Sequence, residues 1–148
     1  MQKSEKVAAL IPIDSFVSDQ SLVLCTQKGV VKKTKINAYK NHRKGGIIGI
    51  NVDEGDTVLK AIKTNSDDHI LILTRNGKGL RFCCDQLRDQ GRVTRGVRGI
   101  RLKANDQVNT FLVVDDSKLL LIAGQNGLGI RTRFSAFLPN GGNLDEDA

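Results

Sequence analysis

The feature that most constrains the fold of this chain is an internal repeat with a period of about fifty residues. Gly46–Val52 reads GIIGINV and returns fifty positions later as Gly96–Leu102, GVRGIRL. The turn Gln27–Gly29 returns at residues 75–77 and again at residues 125–127. Such a period is typical of units that stack or are arranged radially, each burying one face against its neighbours. We therefore expect one supersecondary unit to occur three times.

Each repeat begins with two short apolar runs separated by a tight turn that contains glycine. The three pairs of runs are Ser21–Thr26 with Val30–Thr34, His69–Thr74 with Leu80–Phe82, and Lys118–Ala123 with Leu128–Thr132. Each pair predicts a β-hairpin, because glycine tolerates the positive φ of a tight turn. No segment has a helical period over eleven or more residues. The chain is expected to be all-β.

Two further strands are predicted to complete each unit. Gly49–Val52 and Gly99–Leu102 are taken as the third strands, and residues 57–62 and 107–114 as the fourth. Lys6–Ile13 reads as the fourth strand of a preceding unit. Four strands per period is the strand count of a propeller blade.

The chain is interpreted as one domain, residues 1–148, with repeats at about 7–64, 65–114 and 115–142 and an acidic tail at 143–148. The third repeat stops early, because no counterpart of Ile50–Ile62 follows Phe134. Three such units are too few to close a propeller ring comfortably, so a partial ring is predicted.

Positive charge is concentrated within the repeats. The chain has 23 Lys and Arg residues against 16 acidic residues, a net charge of +7. No acidic residue occurs from Gln20 to Val52, and Arg75–Lys103 contains nine basic residues and two acidic ones. A solvated surface normally mixes the two signs, so this segregation favours an anionic partner. Nucleic acid is the first candidate, and an acidic membrane surface is the second.

The loops Lys40–Gly46 and Arg88–Gly99 combine basic side chains with glycine, which suits close contact with phosphates. The alternative for Lys32, Lys33 and Lys35 is that they keep a strand edge soluble. Within the second loop Arg92 and Arg95 are favoured over Arg98, which can serve a neighbouring blade. The candidate DNA-binding residues are Lys32, Lys33, Lys35, Lys40, His42, Arg43, Lys44, Arg81, Arg88, Arg92, Arg95, Arg98, Arg131 and Arg133.

Other classes of function find little support in the sequence. The three cysteines do not form a disulfide framework, and with two histidines they lack metal-ligand spacing. No catalytic arrangement, cofactor site, signal peptide or membrane span is expected, so a cytoplasmic location is predicted. The six aromatic residues are few for stacking on single-stranded nucleic acid.

Three blocks of the sequence resemble the C-terminal domain of the DNA gyrase A protein: Gly29–Thr34, Gly45–Asp56 and Gly91–Leu102. The resemblance extends from about Val7 to Phe137, and the corresponding protein of topoisomerase IV is a close relative. It implies a β-pinwheel, a propeller-shaped disc whose blades exchange strands. It also implies that duplex DNA wraps around a basic rim and presents a crossing of fixed sign for ATP-dependent negative supercoiling.

The resemblance implies as well that the remaining gyrase A domains and the gyrase B protein are partners, in a bacterial, nucleoid-associated enzyme. The catalytic tyrosine and the ATP and Mg²⁺ sites then belong to other domains, and Tyr39 is not the nucleophile. This sequence departs from the family in lacking the complete seven-residue Gln-Arg-Arg-Gly-Gly-Lys-Gly box. Partial counterparts occur at His42–Gly46 and Arg92–Gly96. The alternative class is a protein-interaction propeller whose basic rim meets an acidic partner.

Overall fold

The computed structural model describes residues 5–41 and 43–139, which form nine β-strands and three short 3₁₀ helices with no α-helix. The predicted all-β fold is confirmed. The strands are β1 Ser21–Thr26, β2 Val30–Lys35, β3 Val58–Thr64, β4 His69–Thr74, β5 Gly79–Cys83, β6 Val97–Arg98, β7 Val108–Val113, β8 Leu119–Ala123 and β9 Gly129–Arg133. The 3₁₀ helices are Ile36–Tyr39, Cys84–Gln86 and Phe134–Ala136.

The strands form three antiparallel sheets, which we call blades 1, 2 and 3. Blade 1 has the strand order β3-β1-β2-β6, blade 2 the order β5-β4-β7, and blade 3 consists of β8 and β9. The three predicted hairpins are all present, since β1 pairs with β2, β4 with β5 and β8 with β9. Each 3₁₀ helix directly follows the second strand of its hairpin.

Blades 1 and 2 repeat the same hydrogen bonds, which shows that the fifty-residue period is structural. The N–H of Lys28 donates to Asp56 Oδ1 at 3.0 Å, and the N–H of Asn76 donates to Asp106 Oδ1 at 3.0 Å. The register of the central strand shifts at the same place in both blades, after Cys25 and after Leu73. Equivalent residues can therefore be read across the repeats from strand register.

The second repeat donates a strand to blade 1. β6 lies in the second repeat but pairs with β2, with Val30 opposite Arg98 and Val31 opposite Val97. The N–H of Gly99 then donates to the carbonyl of Gly29 at 2.8 Å. Neighbouring repeats therefore exchange a strand, as the resemblance implied.

The prediction of four strands in each repeat was wrong in detail. Gly49–Val52 and Gly99–Leu102 contain no strand, and neither does Lys6–Ile13. The N–H groups of Gly99 and Ile100 both donate to the Gly29 carbonyl, so the chain leaves the sheet edge after β6. Lys6–Ile13 is mostly exposed and pairs with no strand in the described part of the chain.

Apolar side chains fill the spaces between neighbouring blades. The first core joins Val23 and Val31 of blade 1 to Ile70 and Phe82 of blade 2, with Ile100 closing it. The second core joins Leu71 of blade 2 to Leu120 and Phe134 of blade 3. Successive side chains of a strand point to opposite faces. In the central strand β4, Ile70 and Ile72 therefore pack on the preceding blade, and Leu71 packs on the following one.

Candidate nucleic-acid interface

The two loops predicted to bind phosphate lie against each other. The N–H of Asn51 donates to the carbonyl of Thr94 at 2.9 Å, and Arg92 Nη1 donates to the carbonyl of Ile48 at 3.3 Å. Between the loops is an open groove, which we call the basic groove. It is lined by Asn41, Arg43, Gly46, Ile47, Ile48, Arg92 and Val93. The fold thus brings the basic parts of two repeats, about fifty residues apart in sequence, to one surface.

Lys32 is fully buried and connects the second loop to the backbone that follows the first loop. Its ammonium donates to the carbonyls of Gly49, Gly91 and Arg92, the last two at 3.1 and 2.6 Å. An ammonium has three N–H donors, so its hydrogen-bonding capacity matches these acceptors. Burial, together with the nearby positive charge of Arg92, lowers the pKa of Lys32 from 10.5 to about 8. Lys32 is therefore an internal clamp and not part of the exposed surface.

Lys33 and Arg81 are also buried, and both reach into the following blade. Lys33 Nζ donates to the carbonyl of Cys84 at 3.0 Å and lies 3.4 Å from Asp89 Oδ1. Arg81 donates to both carboxylate oxygens of Asp116 at 3.0 and 2.8 Å and to the carbonyl of Phe134 at 3.3 Å.

The two contacts are equivalent, because Cys84 and Phe134 each begin the 3₁₀ helix of the next repeat. We call this pairing of a buried cation with the following 3₁₀ helix the inter-blade contact. The Arg81 guanidinium also forms a bidentate hydrogen bond with the Asp116 carboxylate, a geometry that fixes the orientation of the two groups as well as their distance. These two predicted site residues therefore connect blades in this structure.

Most of the remaining predicted residues are exposed. These are Lys40, Arg43, Lys44, Arg88, Arg95, Arg98, Arg131 and Arg133. Arg95 lies 3.2 Å from Asp53 in an ion pair between two exposed side chains, a kind of pair that contributes little to stability. Arg92 and Lys35 are half-buried, and Lys35 donates to the carbonyl of Asp19 at 2.9 Å. His42 lies outside the described residues.

The sequence reasoning missed the role of Lys32, although a signal was available. Strand register places Lys32 directly opposite Leu24, on the face that alternates with Val23 and Cys25. A lysine paired with a leucine in a mostly apolar hairpin indicates a partly buried position. The loop glycines whose carbonyls it reaches, Gly49 and Gly91, are distant in sequence and could not be inferred from spacing.

Comparison with known families agrees with this geometry. The model of the DNA gyrase C-terminal domain, described as a beta-propeller, matches residues 20–65, 68–115 and 118–142. The chain belongs to the DNA gyrase C-terminal domain family. The three matched segments each contain one of the three hairpins. The resemblance seen in the sequence is confirmed.

Similar proteins include DNA gyrase A proteins from several bacteria. That of Mycolicibacterium smegmatis is 35% identical over 142 residues, which is 95% of this chain and 17% of that protein. That of Deinococcus deserti is 38% identical over 137 residues, or 89% of this chain and 17% of that protein. The chain therefore spans about a sixth of the length of these relatives.

Two solved structures are similar over nearly the whole chain. A C-terminal domain of DNA topoisomerase IV has a TM-score of 0.87 at 25% identity. The match covers 95% of this chain and 44% of the topoisomerase IV domain. A DNA gyrase A C-terminal domain has a TM-score of 0.84 at 25% identity. The match covers 97% of this chain and 47% of the gyrase domain. Within residues 5–41 and 43–139 no helix has the length and apolar composition to cross a bilayer.

Proposed function

We propose that this chain binds duplex DNA through the basic groove and the exposed basic residues around it, as a DNA-wrapping module of a gyrase A protein. The observation that carries the proposal is the meeting of two basic loops from different repeats in one open groove. Lys40, Arg43 and Lys44 extend from one loop, and Arg88 and Arg95 extend from the other. Membership of the gyrase C-terminal domain family supports it.

Binding by this surface neutralises phosphates and reads few bases. Lysine and arginine side chains that contact phosphates release condensed counterions, which gives affinity without sequence preference. The Lys32 clamp fixes the backbone of the Arg88–Gly99 loop before DNA arrives. This loop therefore loses little conformational freedom on binding.

We extend the proposal to a finer function, which family membership supports. The module wraps DNA around its basic rim, so that the enzyme receives a crossing of fixed sign for ATP-dependent negative supercoiling. Strand breakage, ATP and Mg²⁺ belong to other domains of the enzyme, whose partners are the remaining gyrase A domains and the gyrase B protein. The chain itself carries no catalytic residue and functions in the bacterial cytoplasm at the nucleoid. Because the similar curated proteins quoted above are gyrase A proteins, we favour gyrase over topoisomerase IV.

Salt-dependent binding tests the DNA proposal. Affinity for a plain duplex is measured between low and moderate salt for the original chain and for Arg43→Gln combined with Lys44→Gln. Each lost phosphate contact reduces the slope of log K against log salt by about 0.9, so the double variant is expected to reduce it by up to about 1.8. Lys60→Gln, which removes an exposed charge on β3, is the matched control and leaves most of the slope intact.

Two results would contradict the proposal. Equal slopes for the double variant and the control would show that the basic groove is not the binding surface. No duplex binding even at low salt would favour the protein-interaction alternative, in which the same surface meets an acidic partner.

Wrapping is tested separately by ligating nicked plasmid with the chain present. A linking-number change of one sign that grows with protein concentration supports chiral wrapping, whereas binding without such a change refutes it.

A further inference from the structure

The two sides of the basic groove are connected by one buried side chain, Lys32. We call residues 46–49 the first wall and residues 91–93 the second wall, since these segments line the groove or directly adjoin its lining residues. The Lys32 ammonium donates to the carbonyl of Gly49 in the first wall. In the second wall it donates to the carbonyls of Gly91 and Arg92 at 3.1 and 2.6 Å. One charged group therefore connects the backbone of the two walls.

The other hydrogen bonds across the groove lie closer to solvent. Arg92 Nη1 donates to the carbonyl of Ile48 at 3.3 Å in an exposed contact. The N–H of Asn51, an exposed residue, donates to the carbonyl of Thr94 at 2.9 Å. A hydrogen bond inside a protein is electrostatically stronger than one in contact with water. Lys32 therefore supplies the buried, stronger part of the contact between the walls.

The Lys32 charge is buried without an anion. The side chain is fully buried, and no carboxylate of residues 5–41 and 43–139 forms an ion pair with it. β1 places Leu24 opposite Lys32, and the segment before β6 places Gly96 against its Cβ. The titratable and charged groups that face it are Arg92, which is positive, and Tyr39, whose Oη donates to the Gly49 carbonyl at 3.5 Å. Burial raises the pKa of Tyr39, so this phenol stays neutral in weakly alkaline solution.

Loss of one proton changes what Lys32 can bind. An ammonium has three N–H donors, whereas a neutral amine has two and a lone pair. One of the three carbonyls then loses its donor and faces a lone pair, which repels it. Burial, and after it the positive charge of Arg92, lowers the pKa of Lys32 from 10.5 to about 8. The change therefore takes place at weakly alkaline pH.

We propose that Lys32 is a positioning residue for phosphate binding, and that its protonated form alone holds the two walls in the arrangement that accepts a DNA backbone. The inference rests on the DNA binding proposed above. Lys32 is buried and does not touch DNA itself. It acts through Arg92, whose carbonyl it binds and whose side chain lines the groove. A phosphate in the groove in turn favours the charged form of Lys32, so DNA binding and protonation strengthen each other.

The size of the effect follows from the fraction of chains in which Lys32 is protonated. Apparent affinity scales with the binding-competent fraction, so with a pKa of about 8 it falls roughly tenfold between pH 7 and pH 9. Unfolding does not account for this fall. The unfolded chain keeps the Lys32 proton to a higher pH than the folded chain does, so the contribution of Lys32 to stability rises with pH over this interval.

Nuclear magnetic resonance of the full chain without DNA tests the protonation step. The ¹³Cε resonance of Lys32 is expected to titrate with a midpoint near pH 8. The carbonyl resonances of Gly49, Gly91 and Arg92 are expected to shift with the same midpoint. A Lys32 midpoint near the ordinary lysine value of about 10.4 overturns the proposal. So do carbonyl resonances that stay unchanged while Lys32 titrates.

Duplex affinity measured from pH 7 to pH 9 at constant salt tests the coupling to DNA. The original chain is expected to lose roughly tenfold in affinity, and so is Lys60→Met, which removes an exposed charge on β3. Lys32→Met keeps every other titratable group, and it is expected to bind weakly at pH 7 with little further change up to pH 9. Circular dichroism checks that this variant is folded. If it is not, the pH profile of the original chain and the carbonyl titration decide the question.

The results separate this inference from the proposed function. Duplex binding at pH 7 that stays constant up to pH 9 refutes the positioning role and leaves DNA binding intact. An equal loss in Lys32→Met and in the original chain also refutes it, because another group then titrates. No duplex binding at any pH refutes the proposed function and the positioning role together, even where the resonances of Lys32 and its carbonyls titrate as expected.

Discussion

Replacing Gly96 with alanine should destabilise the fold far more than an equivalent change elsewhere, because Gly96 lies directly against the backbone of β2 where β6 joins blade 1. Its φ of +95° is left-handed, which costs a residue with a Cβ about 1–2 kcal/mol. The added Cβ would lie 2.4 Å from the Val31 carbonyl oxygen, and backbone cannot move aside as a flexible side chain can. Overpacking of this kind costs about 1–3 kcal/mol more. The total, about 2–5 kcal/mol, is a large share of the roughly 5–15 kcal/mol that stabilises a typical domain.

Urea denaturation followed by far-ultraviolet circular dichroism measures this loss. Gly77→Ala is the control, since Gly77 has a φ of +86° and no atom within 4 Å of the missing Cβ. The control carries the backbone cost alone, so the two variants should differ by about 1–3 kcal/mol in free energy of unfolding. Amide exchange at Gly99 should also accelerate in Gly96→Ala, because its hydrogen bond to Gly29 is lost. Equal destabilisation by the two substitutions would refute the reasoning.

Two further predictions concern buried titratable groups. Lys32→Met leaves three carbonyls without their donor, which should lower the free energy of unfolding measured by urea denaturation by about 1–3 kcal/mol. The substitution should also weaken DNA binding relative to Lys60→Met. Unchanged affinity would contradict the role of Lys32 as a clamp. Burial raises the pKa of Cys25 from 9.0 to about 12, so above pH 9 the unfolded chain loses this proton first and stability falls as pH rises. Between pH 8 and pH 10.5 the loss is about 2 kcal/mol. This contribution should be lost in Cys25→Ala and kept in Cys83→Ser, while Cys84, whose pKa burial raises from 9.0 to about 11, still adds its own loss in both variants. Equal pH dependence in all three proteins would contradict the prediction for Cys25.

The hairpins could be predicted from sequence because their signal is local. An apolar run, a glycine turn and a second run define each one, and all three appear in the structure. The strand predicted at Gly49–Val52 failed for a reason that no local pattern shows. Its equivalent in the second repeat, Gly99–Leu102, follows β6 and is not a strand either. β6 itself exists because β2 of another repeat lies beside it. Gly46–Ile50 has no such neighbour in the described residues, so the same sequence motif remains without a strand.

The candidate site was predictable at the level of loops and less so for individual side chains. The segregation of charge identified Lys40–Gly46 and Arg88–Gly99, and the structure brings these loops together in the basic groove. Charge segregation alone could not separate Lys32 from Lys35, although hairpin register places Lys32 opposite Leu24 and Lys35 opposite Ser21. Their difference depends on the carbonyls of Gly49, Gly91 and Arg92, which tertiary structure alone brings to Lys32.

The role of a basic residue in this fold is set by whether another blade covers it. Lys33 and Arg81 are buried because a following blade supplies a 3₁₀ carbonyl and a carboxylate to each. A buried charge needs such partners, since desolvation otherwise disfavours it. Arg131 has the same place in its blade and is exposed, without a following blade among the described residues. The same position is therefore buried where a following blade packs against it and exposed where none is described, whereas Arg43 and Lys44 are exposed on a loop beside the basic groove.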